Sequence, residues 1–179
     1  EMKTDGIDAI VVNASGCGTM VKDYGHMLKD DAELAGIAKV VSDKCVDISE
    51  LLDGLDIEPV LQPAPFGGRG KIAYHSACSL QHGQKIHDLP MRLLRQAGFD
   101  VVQPANGHLC CGSAGVYNIL QPDMADALKA RKIESLEKTG ATLIAAGNIG
   151  CISQLNRPSL PVRHTVQLID WASGGPNPI

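Results

Sequence analysis

Aromatic residues are nearly absent: two Phe, one Trp and three Tyr make up 3% of 179 residues. The core must therefore be built from Ala, Val, Ile and Leu, within an apolar fraction of 44% that is ordinary for a globular protein. No uninterrupted apolar run approaches the ~18 residues that span a bilayer. A formal net charge of −4 excludes the positive footprint of a nucleic-acid binder, so no nucleic-acid partner is expected. The opening residues 1–8 are polar and acidic, which gives the expectation of no secretory signal and of a cytoplasmic protein. A strand-like run that begins as early as Ile7 predicts a piece of a longer chain. Also missing are the paired CxxC knuckles of a zinc ribbon and the CxxCxxCxxxCP run of a bacterial ferredoxin.

What is present is an alternation of strand and helix signals. Residues 7–13 (Ile-Asp-Ala-Ile-Val-Val-Asn) read as a short buried strand, followed by a turn over 14–18, helical patterns over 19–44 and a short helix over 47–52. Residues 57–70 are rich in Gly and Pro and read as a linker. Strand signals return over 71–75, 99–103 and 141–146, with amphipathic helices over 88–97 and 122–138 between them. Short connections between such elements predict an α/β protein, a parallel-strand sheet flanked by helices. Residues 8–17 can be laid on residues 142–151: each is a strand, a turn and then Gly-Cys. Each is followed by a short helix signal, at 46–52 and 162–169. This pattern predicts one complete repeat preceded by the tail of another.

The six cysteines are Cys17, Cys45, Cys78, Cys110, Cys111 and Cys151. In a reducing compartment, cysteines placed in loops are more often metal ligands or redox groups than disulfides. Ligands of open α/β sheets gather at the carboxyl ends of the strands, and all of these except Cys45 fall in segments leaving such ends. Cys45 reads as a structural thiol. The other five are flanked by Gly, Ser or Ala, which let backbone N–H groups approach a bulky group, and Cys110 and Cys111 are adjacent, an improbable way to pack a core. Soft thiolates select zinc, copper(I) or iron–sulfur clusters. Cys78, Cys110, Cys111 and Cys151 are therefore the candidate metal ligands, with Cys17 as a further cofactor-binding residue.

The layout of a lone Cys78, then Cys110-Cys111-Gly112, then Gly150-Cys151, resembles the cysteine-rich CCG domain shared by heterodisulfide reductase and by lactate- or glycolate-oxidising complexes. The segments Ala14-Ser15-Gly16-Cys17-Gly18, Cys78-Ser79-Leu80-Gln81-His82, His108-Leu109-Cys110-Cys111-Gly112 and Asn148-Ile149-Gly150-Cys151 are similar to the C-terminal part of glycolate oxidase iron–sulfur subunits. The resemblance implies residues 1–56 as the C-terminal half of a first CCG repeat, the linker at 57–70, and residues 71–179 as a complete second repeat. It implies an iron–sulfur cluster of [4Fe–4S] type that carries electrons from a flavin-containing partner subunit towards a membrane acceptor. FAD would lie only on that partner, and any contact with the inner face of the membrane would be peripheral, through the complex. One departure stands out. Non-cubane clusters of such repeats use a final CxxC, but Gln154 fills its last place here, and Met20 does so after Cys17. A five-thiolate site would need Cys17 or a histidine in substitution, whereas four thiolates suffice for a [4Fe–4S] cluster or for zinc.

His75, His82 and His108 lie near the cysteine segments, as surface groups or as ligands and hydrogen-bond donors that tune a cluster. His26 and His87 have no catalytic reading, and His164 reads as a helix cap. Gly67-Gly68-Arg69-Gly70 precedes its strand, whereas a dinucleotide loop must follow one. The rival functions are a zinc-bearing structural or docking module, a thiol enzyme with one cysteine activated by His75 or His108, and a heterodisulfide- or lactate-type oxidoreductase subunit. The chain alone, with no flavin fold, is expected not to turn over glycolate.

Overall fold

Among the described residues of this computed structural model, 6–65 and 68–178, short strands alternate with helices throughout. Residues 1–5 of the acidic opening and Gly67 of the Gly-rich stretch lie outside them. The chain begins with β1 (Ile10–Val12), α1 (Ser15–Met27), α2 (Ala35–Lys44), β2 (Cys45–Asp47) and α3 (Ile48–Gly54). After a 3-10 turn at Glu58–Val60 come β3 (Lys71–His75), a π-helical turn at Ser79–Gly83, α4 (Leu89–Gln96) and β4 (Asp100–Val102). Then follow α5 (Tyr117–Leu120), α6 (Pro122–Glu137), β5 (Leu143–Ala146), α7 (Ile149–Leu155), β6 (Val162–His164) and α8 (Thr165–Ala172).

Every ladder is parallel. β1 pairs with β2, and a four-stranded sheet has the order β4-β3-β5-β6. Parallel strands must be joined by crossovers, so helices cover both faces of the larger sheet and the central strands read as near-continuous apolar runs. Leu143 to Ala146 are all buried. Side chains alternate between the faces. Ile72, Tyr74, Leu143 and Ala145 pack against Leu93 and Leu94 of α4, Ala97 just after it, and Leu168 and Ile169 of α8. Ala73, Ile144, Ala146 and Val162 face Ile133 and Leu136 of α6 and Leu155 of α7. A buried leucine of this kind contributes about 1.5–3 kcal/mol relative to leaving it exposed. The α/β expectation holds, built on aliphatic layers in place of aromatic ones.

Helix boundaries follow from local chemistry. In α4, Pro90 sits in the first turn, where its missing N–H costs nothing. Asp47 caps α3 by accepting from the Ser49 N–H at 2.9 Å, and Glu50 reaches back to the Asp47 N–H at 2.8 Å. His164 caps α8 in the same reciprocal way, with Nδ1 accepting from the Val166 N–H at 3.1 Å and Gln167 accepting from the His164 N–H at 2.9 Å. That leaves Nε2 to donate to the Asn13 carbonyl at 2.7 Å.

One local expectation needs correction, and the segment read as a linker proves to be held down. The turns placed at 14–18 and 147–151 are first turns of helices, because a backbone leaving a parallel strand enters its crossover helix at once: Cys17 lies in α1 and Cys151 in α7. The linker is strapped to the core over its described part. Ile57 is buried, the Gln62 N–H donates to the Ala172 carbonyl at 2.7 Å, and Arg69 donates to Ala97 and Gln62 carbonyls while lying 5.6 Å over the Trp171 ring.

Candidate metal centre

The connections of β3 and β5 diverge: β3 leads through α4 to β4 on one side, and β5 leads through α7 to β6 on the other. Their carboxyl ends thus form the crevice of a topological switch point, where open α/β sheets bind ligands. Three chain segments deliver sulfur to it. Cys78 follows β3 and begins the π-helical turn. Cys151 is the third residue of α7, whose first turn is capped by Asn148 Oδ1, accepting from the N–H groups of Gly150 at 2.9 Å and Cys151 at 3.4 Å. Cys110 and Cys111 lie in the long loop between β4 and α5.

Cys111 and Cys151 are buried, and their sulfurs lie 3.3 Å apart, within hydrogen-bonding distance. The pair favours one shared proton. The bond to Cys151, helped by His75 and by the Ser113 N–H, outweighs burial and holds Cys111 down to about 4. The same bond, with burial and the nearby Cys111, Cys78 and Cys110, pushes Cys151 far up. Cys110 accepts from the Gly112 N–H at 3.3 Å, and burial, with neighbouring Cys111 and Cys78, raises it against that bond. The four sulfurs therefore act on one another, with Cys78 at the exposed side.

Gly112 is dictated by backbone geometry. Its φ is +92°, and a Cβ there would lie 2.4 Å from the Ala125 carbonyl oxygen of α6. Only glycine lets the Cys-Cys loop lie flat on this helix.

His75 ends β3, opposite Ala146 at the end of β5. Strand alternation turns it towards the α6 and α7 face, where it is 1% exposed. Burial lowers its pKa and keeps the imidazole neutral. Neither ring nitrogen has a partner at hydrogen-bond geometry, although Cys111 lies close enough for the two groups to act on each other, and ligand atoms from His75, Cys111 and Cys151 all lie within 4.8 Å of one another. Lys132 of α6 is wholly buried. Its ammonium donates to the Gly107 carbonyl at 2.9 Å, ahead of Cys110, and its charge lies by Cys111, Cys151 and Cys110. Burial lowers its pKa, and those three cysteines oppose the shift.

The donor set fits a metal. It offers soft sulfur, a neutral imidazole and a buried counter-cation, and ligand atoms around one tetrahedral ion with 2.0–2.3 Å bonds sit roughly 3.3–3.8 Å apart. The comparison with known sequences agrees. Residues 72–156 match the family described as CCG, cysteine-rich domain. The chain carries a CCG-family cysteine-rich domain. It is 40% identical over 168 residues to the glycolate oxidase iron-sulfur subunit of Escherichia coli (strain K12), a match covering 93% of this chain and 40% of that protein. It is 30% identical over 161 residues to lactate utilization protein A of Anoxybacillus flavithermus (strain DSM 21510 / WK1), covering 86% of this chain and 66% of the relative. It is 31% identical over 150 residues to the probable glycolate oxidase iron-sulfur subunit of Bacillus subtilis (strain 168), covering 83% and 33%. The chain thus spans less than half the length of the two glycolate oxidase relatives.

Within the CCG domain, Cys78, Cys110, Cys111 and Cys151 come to one edge of the sheet. Cys78 and Cys110 lie near but outside the compact buried group of His75, Cys111 and Cys151, and Cys17 is likewise not part of it. It is exposed on α1, but that helix docks beside the domain's sulfur segments. Ser15 Oγ lies 2.8 Å from Ser79 Oγ and accepts from Asn148 Nδ2 at 3.0 Å, and the Thr19 hydroxyl donates to the Ser79 carbonyl at 3.1 Å. Cys45 is buried in β2 with its thiol raised by burial, in keeping with a packing role. His82 and His108 are exposed. Sequence reasoning missed Lys132. The signal for it lay in the spacing of α6: Ala125, Lys132 and Leu136 share the buried face, where a lysine breaks the apolar pattern.

Proposed function

We propose that this chain is the C-terminal, CCG-bearing part of the electron-transfer subunit of a 2-hydroxy acid oxidase complex, with glycolate as the first candidate substrate and lactate the second. Residues 1–56 are read as the end of a first repeat, 57–70 as its linker and 71–179 as a full second repeat. The observation that carries the reading is the buried Cys111 and Cys151 pair, 3.3 Å apart at the switch point with Cys110 and Cys78 beside it. Two of the three relatives are called glycolate oxidase iron-sulfur subunits, one of them probable, and the third a lactate utilization protein. No helix among the described residues is long and apolar enough to cross a membrane. The proposed place of work is the cytoplasmic side, with any membrane contact made through partners.

Cys78, Cys110, Cys111 and Cys151 would hold a [4Fe–4S] cluster, which when bound supplies reversible one-electron transfer at a potential set by charge and hydrogen bonds around it. The rest is the work of the protein. Lys132 sets a positive charge beside the sulfurs, Gly112 fixes the Cys-Cys loop on α6, and the aliphatic layers keep water from the inner side of the site. Cys78 marks the exposed side, from which a flavin-containing partner would deliver electrons. The test uses the full-length chain assembled with its flavin partner under anaerobic conditions. Adding glycolate is expected to bleach the visible cluster absorbance, with no bleaching by this chain alone. Glycolate oxidation by the isolated chain, or an assembled complex whose cluster ignores both glycolate and lactate, would overturn the proposal.

The zinc reading keeps one specific observation in its favour. His75, Cys111 and Cys151 form a compact group of three ligands, the number that zinc takes in open sites.

A further inference from the structure

The sulfurs do not account for His75. Its ring is 1% exposed, neither nitrogen reaches a partner at hydrogen-bond geometry, and the Cys111 and Cys151 sulfurs lie nearby, within 4.8 Å; a buried polar group left so poorly satisfied is costly. An aliphatic residue would end β3 at no such cost. The backbone that carries the ring is placed by the sheet: His75 pairs with Ala146 of β5, and its neighbours Ala73 and Ala146 are wholly buried. The face it meets is the one that carries Cys111 and Cys151. Gln154, which stands where a last thiolate of a CxxC would fall, is engaged elsewhere: its Oε1 accepts from Asn118 Nδ2 at 3.2 Å. Compared with a five-thiolate site, the last position thus offers no donor, and His75 offers one that nothing else uses.

We propose that His75 is a nitrogen ligand of the metal centre, bound to the same ion or cluster as Cys111 and Cys151. The inference rests on the metal-centre reading above but extends it, because a neutral imidazole in place of the fifth thiolate, absent at Gln154, leaves the centre less negative than a five-thiolate one. Replacing thiolate by histidine raises an iron–sulfur potential. A CCG site of this composition should hold electrons at a higher potential than an all-thiolate one. A histidine that only donated its N–H to a cluster sulfur would also satisfy one nitrogen, and the two roles separate spectroscopically.

The experiment loads the chain with iron and sulfide anaerobically and, in a second arm, with cobalt(II). Protein labelled with 15N-histidine is then compared with unlabelled protein by pulsed EPR. Direct ligation predicts a strong nitrogen hyperfine coupling that changes with the isotope and is missing from His75→Ala. His75→Cys should bind the same number of irons with a lower midpoint potential. The wild-type isotope comparison keeps the test valid even where His75→Ala folds poorly. A cluster that forms with only weak nitrogen coupling leaves the iron–sulfur reading standing and overturns the ligand assignment. Strong coupling with cobalt but no assembled cluster supports the ligand and sinks the iron–sulfur reading. Binding of neither metal by the wild-type protein contradicts both.

Discussion

On the proposed reading, Cys111 and Cys151 are the residues on which the chemistry of the site turns. Cys111→Ala or Cys151→Ala should cut bound iron by more than half in anaerobically loaded protein, since each removes one of a few buried ligands. Cys45→Ala is the control: its thiol is buried in β2, away from that group, so metal content should be unchanged while unfolding in urea shows a loss of about 1–2 kcal/mol. Gly112→Ala forces a left-handed φ and a Cβ 2.4 Å from a backbone oxygen. Its stability cost should be at least ~2 kcal/mol, read from the same urea transition, with the Cys-Cys loop displaced. Lys132→Met removes a buried positive charge that favours the reduced, more negative centre. The midpoint potential should fall, by roughly 2 kcal/mol or about 90 mV for one electron if the charge sits about 8 Å from the centre at an effective dielectric near 20. An unchanged potential would reduce Lys132 to a strut for the Gly107 carbonyl.

At the scale of the elements, the two Gly-Cys segments share a local plan. β1 enters α1 with Cys17 as the third helical residue, and β5 enters α7 with Cys151 as the third. β2 and β6 each feed a helix whose first turn is closed by a reciprocal cap, Asp47 with Glu50 and His164 with Gln167. The difference between the copies is informative. Asn148 caps α7, whereas Ala14 at the matching place caps nothing, and the Asn148 amide also donates to Ser15 Oγ of α1. Asn148→Ala should therefore cost about 1–2 kcal/mol in urea unfolding, from a lost cap plus a lost bridge between α1 and α7. A cost within ±0.5 kcal/mol would mean the bridge carries no weight. Much of this was legible in the sequence, because His164 stands in front of an apolar helix and the Gly-Cys turns repeat. The helical state of Cys17 and Cys151 was not. Glycine-rich turns and first helical turns share a composition, and only the parallel ladder decides between them. β2 was hidden for a related reason: its three residues follow α2 without a break, and its strand state exists only through pairing with β1.

Taken whole, the described residues form two parallel sheets, and the strand order of the larger one creates a crevice to which Cys78, Cys110, Cys111 and Cys151 come from segments up to 73 residues apart, Cys78 to Cys151. The convergence could be anticipated from the carboxyl-end rule and from the family resemblance. The burial of His75 and Lys132 could not, since both depend on which face of β3 and α6 the sheet covers. A metal that binds only the folded state must stabilise it by mass action. Loaded protein should unfold at a higher temperature than protein stripped with a chelator, by several degrees if the metal adds about 2 kcal/mol. The most direct test of the central claim is iron and zinc content, with a visible spectrum, on protein purified without oxygen. A cluster at the switch point predicts about four irons per chain with broad visible absorbance that Cys111→Ala abolishes. One colourless zinc per chain and no iron, in protein that also refuses iron and sulfide on reconstitution, would contradict it.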